Sequence, residues 1–329
     1  MGLHRLAIAA AVVTLLLIFV GGSVTSNDAG MAFADWPTVD GHNMFLFPPS
    51  KWVGDKLFEH VHRLLGAAAG MLMIAIAVWA QMREPRRQVR ILAWIMLGAV
   101  IVQGVMGGIR VTANSITLAI VHGCLAQSFF CVTICMVLLT SRWWGAVQAE
   151  THGFESVGLQ KAPPGLGRLC VAASLIVFGQ LLAGAIYRHL GVGLAFHVGG
   201  AVVVILVLSW LMFWVSGNPP IAIRGIGPRL VKLMALLLMV QLSLGVGAYV
   251  SIMEYDASRP ATLIEWLIPS FHVAVGAAIL AVTVALTVSV YHVGRARGMN
   301  PAARALPFDR LESLSHRGCD DSGPEVSTI

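Results

Sequence analysis

The chain has 329 residues, of which 57% are hydrophobic and only 12% charged, with a mean hydropathy of +0.80. A soluble domain carries roughly 25% charged residues, so this composition excludes one and indicates a polytopic membrane protein. The net charge of +6 is not a nucleic-acid footprint, because its lysines and arginines gather in alternate loops rather than on one face.

Eight apolar segments follow one another, at residues 6–22, 61–80, 91–108, 117–140, 169–187, 194–215, 230–250 and 270–292. Each is near the ~20 residues that cross a bilayer. The first has the outline of a secretory leader, with His4 and Arg5 before an apolar run and small residues after it. An internal repeat argues that it is retained. Residues 22–33 resemble residues 184–196 with one insertion, and the second copy follows an interior helix. The repeat continues in Gln103-x-x-x-Gly107, Gln180-x-x-x-Gly184 and Gln241-x-x-x-Gly245. Segments one to four thus resemble segments five to eight. The expected fold is an all-α membrane protein of eight transmembrane helices, arranged as two four-helix bundles related by a pseudo-twofold. Residues 1–165 form the first half and 166–295 the second. Residues 296–329 read as a disordered polar tail.

Arg83, Arg86, Arg87 and Arg90 fill the second loop. Arg142, Lys161 and Arg168 flank the fourth, and Arg224, Arg229 and Lys232 the sixth. Arg295, Arg297 and Arg304 follow the last segment. The odd loops mix Lys51, Lys56, Arg110, Arg188 and Arg259 with seven acidic residues. The positive-inside rule then puts both termini in the cytoplasm, with the protein in the cell (inner or plasma) membrane. The first outer loop, about residues 23–58, carries Trp36, Phe45, Phe47 and Trp52 among Pro37, Pro48 and Pro49. It reads either as a lid or as an interfacial anchor.

Ionisable residues at a membrane boundary are costly and mark function. Glu59, His62 and Arg63 stand at i, i+3 and i+4 and share one helix face. His122, His197 and His272 recur near the starts of the other even segments, so all four histidines lie at similar depth. Small residues follow each within a turn: Gly66, Ala126, Gly200 with Ala201, and Gly276. A single buried histidine is commonly just a satisfied polar group. Four at matching repeat positions suit the axial ligands of two bis-histidine haem irons. Zinc prefers acidic or thiolate partners or a tight histidine cluster, and only Glu59 is near.

Of the other histidines, His60 points elsewhere on its helix, and His189 sits beside Arg188 where a propionate would lie. His4, His42, His152, His292 and His316 read as solvated. Arg63, Arg110 and Arg188 suit haem propionates or interfacial snorkelling. Cys124, Cys131, Cys135, Cys170 and Cys319 avoid the outer loops and read as packing residues.

Taken together, Glu59-x-x-His62-Arg63, the three further histidines, the Gln-x-x-x-Gly pattern and Asp35-Trp36-Pro37 resemble the haem A synthase (COX15/CtaA) family over about residues 6–292. The resemblance implies an oxidoreductase that converts the C8 methyl group of haem O to a formyl group, giving haem A for cytochrome oxidase assembly. It implies that His62 and His122 hold the substrate haem, and that His197 and His272 hold a haem b that passes electrons. Glu59 is the catalytic carboxylate it suggests, and a haem O synthase and an electron donor are the partners. A homo-oligomer is compatible with it. Many members carry two cysteines where this chain has Phe33 and Val39, so no thiol step is expected here. Two rival readings are a dihaem cytochrome b-type electron carrier, from which Glu59 in its motif separates the synthase, and a haem transporter, which would hold haem b alone in both halves. Glu59 has its own rival reading, a partly exposed ion pair with Arg63.

Overall fold

The computed structural model describes residues 2–146, 165–217, 226–254, 259 and 261–298. Its long helices are α1 (Gly2–Ser26), α2 (Asp55–Arg83), α3 (Arg87–Thr112), α4 (Ile116–Leu139), α5 (Leu166–Leu190), α6 (Leu194–Gly217), α7 (Gly227–Glu254) and α8 (Leu263–Gly298). Each matches one of the eight expected segments, the fourth of which runs one residue past α4 to its cap Thr140, and all eight are long and apolar enough to cross a membrane. Among the described residues there is no strand, only an isolated bridge between Val39 and His42.

The helices overrun the apolar segments at ends where the sequence supplies terminal signals. Asp55 opens α2, where an acid suits the positive end of the helix dipole. Glu84-Pro85 closes it, since proline disfavours helix in the residue before it. Ser115 caps α4 by accepting from Leu118 N. Gly191 ends α5 at φ 68°, a conformation that costs glycine nothing. The tail expected from residue 296 begins inside α8. Residues 299–329, with Arg304, His316 and Cys319, lie outside the described residues, as do His152, Lys161 and Arg224.

In lipid, helices associate through close packing and hydrogen bonds, because burial from water no longer drives them together. One cluster joins Ile18 of α1, Cys131 of α4, Cys170 and Ala173 of α5, Leu208 of α6, Met234 of α7 and Leu286 of α8. A second joins Ala7 and Ala10 of α1 to Met73 and Ala80 of α2, Met96 of α3 and Met136 of α4. Helix α1 belongs to both. At its C-terminal end, a Cβ on Gly22 would stand 3.2 Å from Ser270 Cα, so glycine permits the α1–α8 contact. Ser23 Oγ donates to Ser270 Oγ at 3.3 Å across it. Buried hydroxyls in this apolar medium return to their own helix, as Thr14 does to Ala10 O and Ser289 to Ala285 O, both at 2.7 Å.

Contacts also sort the helix ends. His4 at the start of α1 meets Thr140 Oγ1 at 3.0 Å, and Arg86 between α2 and α3 donates to Leu139 O at 2.7 Å. His292 near the end of α8 stacks on Trp144 just after α4, with centroids 3.5 Å apart. One end of the bundle therefore carries the arginine-rich turn. These contacts correct the expectation that His4 and His292 are simply solvated.

Candidate functional site

The four histidines sit in four helix hairpins of the same construction. Each ring lies against a glycine of the preceding helix. A Cβ would stand 3.0 Å from His62 Cε1 at Gly21, 3.0 Å from His122 Cε1 at Gly107, 2.8 Å from His197 Cε1 at Gly184, and 3.2 Å from His272 Cε1 at Gly245. Side-chain carbons do not pack that tightly without displacement, so the glycines make room for the rings.

The rings then meet in pairs. His62 and His122 have centroids 6.4 Å apart with planes at 74°, and His197 and His272 have centroids 6.3 Å apart with planes at 74°. An imidazole–metal bond of about 2 Å on each side, plus the distance from nitrogen to ring centre, spans roughly 6 Å between centroids. Each pair of rings thus leaves room for one metal ion between them. Nδ1 of His62, His122 and His272 is buried with no partner among the described residues. A buried nitrogen left unpaired is costly and points to a ligand. Among the described residues no three histidines, cysteines or acids gather as a metal cage, which suits an axial pair better than a zinc site.

The glutamines of the repeated pattern have a role that sequence spacing alone did not assign. Gln103 Nε2 donates to His122 O at 2.7 Å, and Gln180 Nε2 to His197 O at 2.8 Å while also lying 3.1 Å from His197 Nδ1. Gln241 Nε2 lies 3.2 Å from His272 Nε2. One helical turn separates each glutamine from its glycine, so one helix face grips a histidine and gives its ring space. The first hairpin departs from this. The residue four before Gly21 is Leu17, which has no amide to offer.

Above the first pair lies the outer loop. It folds through short turns at Ala29–Met31, Met44–Leu46 and Pro49–Lys51 around its own core of Phe33, Val39 and Phe47. Phe33 and Val39 are the buried centre of that core. Trp36 rests on Gly108, where any Cβ would overlap its ring. Gly107 and Gly108 therefore seat the His122 ring and the loop tryptophan side by side.

Glu59 and Arg63 fasten the same loop. Glu59 Oε1 accepts from Arg63 Nη2 at 2.6 Å and Nε at 3.1 Å, and Oε2 accepts from Phe33 N at 3.1 Å. Arg63 Nη1 donates to Asp35 O at 2.8 Å and Thr38 O at 2.9 Å. The two side chains are only 4% and 9% exposed, so the pair is buried rather than partly exposed as expected. These bonds engage four of the five guanidinium hydrogens, leaving one Nη2 hydrogen for another acceptor. Arg110 donates to Gly30 O at 2.5 Å. Arg188 donates to Gly22 O at 2.7 Å, Ser26 Oγ at 2.5 Å and Pro269 O at 3.3 Å. Arg63 and Arg110 thus tie the loop to α2 and α3, and Arg188 ties the end of α5 to α1 and α8.

His60 was missed by sequence reasoning. Helical spacing did turn it away from His62, but not toward solvent. It is fully buried among Trp52, Phe47 and Phe33, with ring centroids 4.5, 5.1 and 6.4 Å away. The aromatic density of the loop was the available signal.

A family model described as "cytochrome oxidase assembly protein" (COX15-CtaA) matches residues 51–299. A protein named heme A synthase from Symbiobacterium thermophilum is 29% identical over 199 residues, covering 59% of this chain and 61% of that one. A heme A synthase from Exiguobacterium sibiricum is 27% identical over 195 residues, covering 57% and 61%. The chain thus spans about three fifths of these relatives' length. A protoheme IX farnesyltransferase from Haloarcula marismortui is 34% identical over 124 residues, covering 37% of this chain and 25% of that one.

Proposed function

The chain belongs to the COX15-CtaA family of cytochrome oxidase assembly proteins, and from that premise we propose that it is a haem A synthase. It is a multi-pass membrane oxidoreductase, and it oxidises the C8 methyl group of haem O to a formyl group. The observation that carries this reading is the doubled histidine geometry, with centroids 6.4 and 6.3 Å apart in two hairpin-built pairs. The same doubling supports two related four-helix halves.

His62 and His122 are the proposed axial ligands of the substrate haem, and His197 and His272 those of a haem b. Bound haem iron supplies the redox chemistry, which no side chain can. The residues of the chain do the rest. The glycines fix where each ring stands, and so the plane between the rings. The loop covers the first pair and keeps water from the reacting edge. The remaining Nη2 hydrogen of Arg63 suits one propionate oxygen. Glu59 is the proposed proton-handling carboxylate; both its oxygens are engaged, so it acts while also holding the loop. The farnesyltransferase resemblance supports a haem O synthase as the source of substrate, and electrons come from a separate donor.

The test is co-expression with a haem O synthase, followed by chromatography of the extracted haems. Haem A, or its alcohol precursor, is expected. Haem O left unchanged in aerobic cells with a competent reductant would favour the electron-carrier reading. Haem b alone in both halves would favour a transporter.

A further inference from the structure

At the end of the bundle opposite the four histidines lies a cavity of about 290 Å³. Arg86, Arg87 and Gln88, where α3 begins, form its polar side. Val89, Leu139 at the end of α4 and Trp144 just beyond it form its apolar side. The apolar side is held in place: Val89 and Trp144 are buried, and Trp144 stacks on His292 of α8. The polar side carries charge in excess. Between residues 83 and 90 four arginines face one acid, Glu84. Arg86 takes both oxygens of that carboxylate, with Nε at 2.6 Å and Nη2 at 3.1 Å, and gives Nη1 to Leu139 O at 2.7 Å. Arg90 spends Nη1 on the carbonyls of Glu84 and Pro85. Arg87 is exposed on the rim, and no unpaired acid is left for it in that turn. Deeper along α3 the same face turns apolar. Ile91 and Trp94 follow Arg87 at i+4 and i+7, and Ile95 follows Gln88 at i+7. All three are exposed.

We propose that this cavity binds the phosphate headgroup of an anionic phospholipid from the leaflet at the arginine end, with the acyl chains along Ile91, Trp94 and Ile95. A guanidinium pairs well with a phosphate oxygen, and basic pockets between spans are where anionic headgroups settle. The volume lies at the low end of the roughly 300–1,000 Å³ of small-molecule sites, which suits a headgroup. Two features choose a lipid over a free anion. Half of the wall is apolar, and the basic rim leads into an exposed apolar face at the depth where α3 enters the bilayer. Bound there, the lipid bridges the α2–α3 turn to the end of α4, beside the bond from Arg86 to Leu139 O.

The test uses purified full-length protein in an uncharged detergent. Dioctanoyl phosphatidylglycerol, dioctanoyl phosphatidylcholine or inorganic phosphate is added, adducts are counted by native mass spectrometry, and Tm is followed. Phosphatidylglycerol is expected to add one molecule per chain and to raise Tm saturably. Phosphatidylcholine and inorganic phosphate at the same concentration should do neither. Arg87→Gln should weaken phosphatidylglycerol binding about fivefold, the worth of one arginine against an anionic lipid. Gln88→Glu, which sets a carboxylate on the rim, should weaken it at least as much. Arg5→Gln removes a charge at the same end but outside the cavity, and should bind as wild type. Arg87 and Gln88 are both exposed; if one variant fails to fold, the other carries the test. Equal binding of phosphatidylcholine, or no adduct with either lipid, overturns the proposal. Inorganic phosphate binding as tightly would make this a free-anion site. Equal losses in Arg87→Gln and Arg5→Gln would mean diffuse attraction of charge with no site, and unchanged binding in Arg87→Gln or Gln88→Glu would place the lipid elsewhere; each of these also overturns it.

Discussion

At the scale of single residues, Glu59 and Arg63 separate structure from chemistry. Removing one partner of a buried pair costs about 3–5 kcal/mol when the other charge is stranded. Here Arg63 keeps two carbonyl acceptors, which places Arg63-retaining variants at the low end. Glu59→Gln keeps the shape and an oxygen for Phe33 N, so both haems should stay bound while haem A formation slows by about 10²-fold, the range for losing a positioned proton-transfer group. Arg63→Gln frees the same loop but leaves the carboxylate. Haem A yield per bound haem in the two variants distinguishes the roles. If both fall together, Glu59 acts only by fastening the loop. The glycines give a second residue-scale prediction. Gly184→Ala puts a methyl 2.8 Å from His197 Cε1, so the low-spin spectrum of the second site should be perturbed and its haem content reduced.

At the scale of elements, the outer loop is the part that sequence reasoning left most open. Its aromatics and length were legible, and they supported both a lid and an anchor. The fastening was not, because it runs from side chains on α2 and α3 to backbone carbonyls 25–80 residues away, and no local spacing encodes that. The Gln-x-x-x-Gly pattern shows the same limit. Its recurrence was visible, but its meaning depends on a neighbouring helix. By contrast, the shared depth of the four histidines was legible, because repeat position and helix polarity together fix it, and their rings approach two by two. The loop yields two predictions. Gly108→Ala overlaps the Trp36 ring, so the loop should lift, seen as increased proteolysis between residues 27 and 54 with the helices intact. Asp35 gives a pH dependence. Burial pushes its carboxyl up, but hydrogen bonds from the Thr38 side chain and the Gly41 and Asp40 amides outweigh this and hold its pKa below the ordinary 3.8. A depressed folded pKa stabilises above the unfolded value and is lost as pH falls through the folded one. Proteolysis of the loop should therefore be flat from pH 8 to 5 and rise only below about 4. An Asp35→Asn loop should show the loosened behaviour throughout.

At the scale of the whole molecule, the two ends differ in what they carry. His4 meets Thr140, Arg86 meets Leu139 and His292 stacks on Trp144 at one end, where Arg83, Arg86, Arg87 and Arg90 also lie. At the other end are the outer loop and the starts of α2, α4, α6 and α8 with all four histidines. A chain of eight spans with this polarity has two orientations, and the arginine turn decides between them. Basic residues close to a span resist translocation, whereas acidic ones contribute little to orientation. The α2–α3 turn packs four arginines into eight residues, whereas the outer loop offsets Lys56 with Asp40 in an ion pair. The turn should therefore be cytoplasmic and the histidine end should face outward. A reporter active only outside the cytoplasm, fused after Pro49, should give signal, and the same reporter after Glu84 should give none. A cytoplasm-specific reporter should give the reverse. Replacing Arg83, Arg87 and Arg90 with glutamine, while leaving Arg86 to its bond with Leu139 O, should lower the contrast between the two fusions. Equal signal from both fusions in the unaltered chain would contradict the orientation, and with it the placement of both haem sites near the outer face.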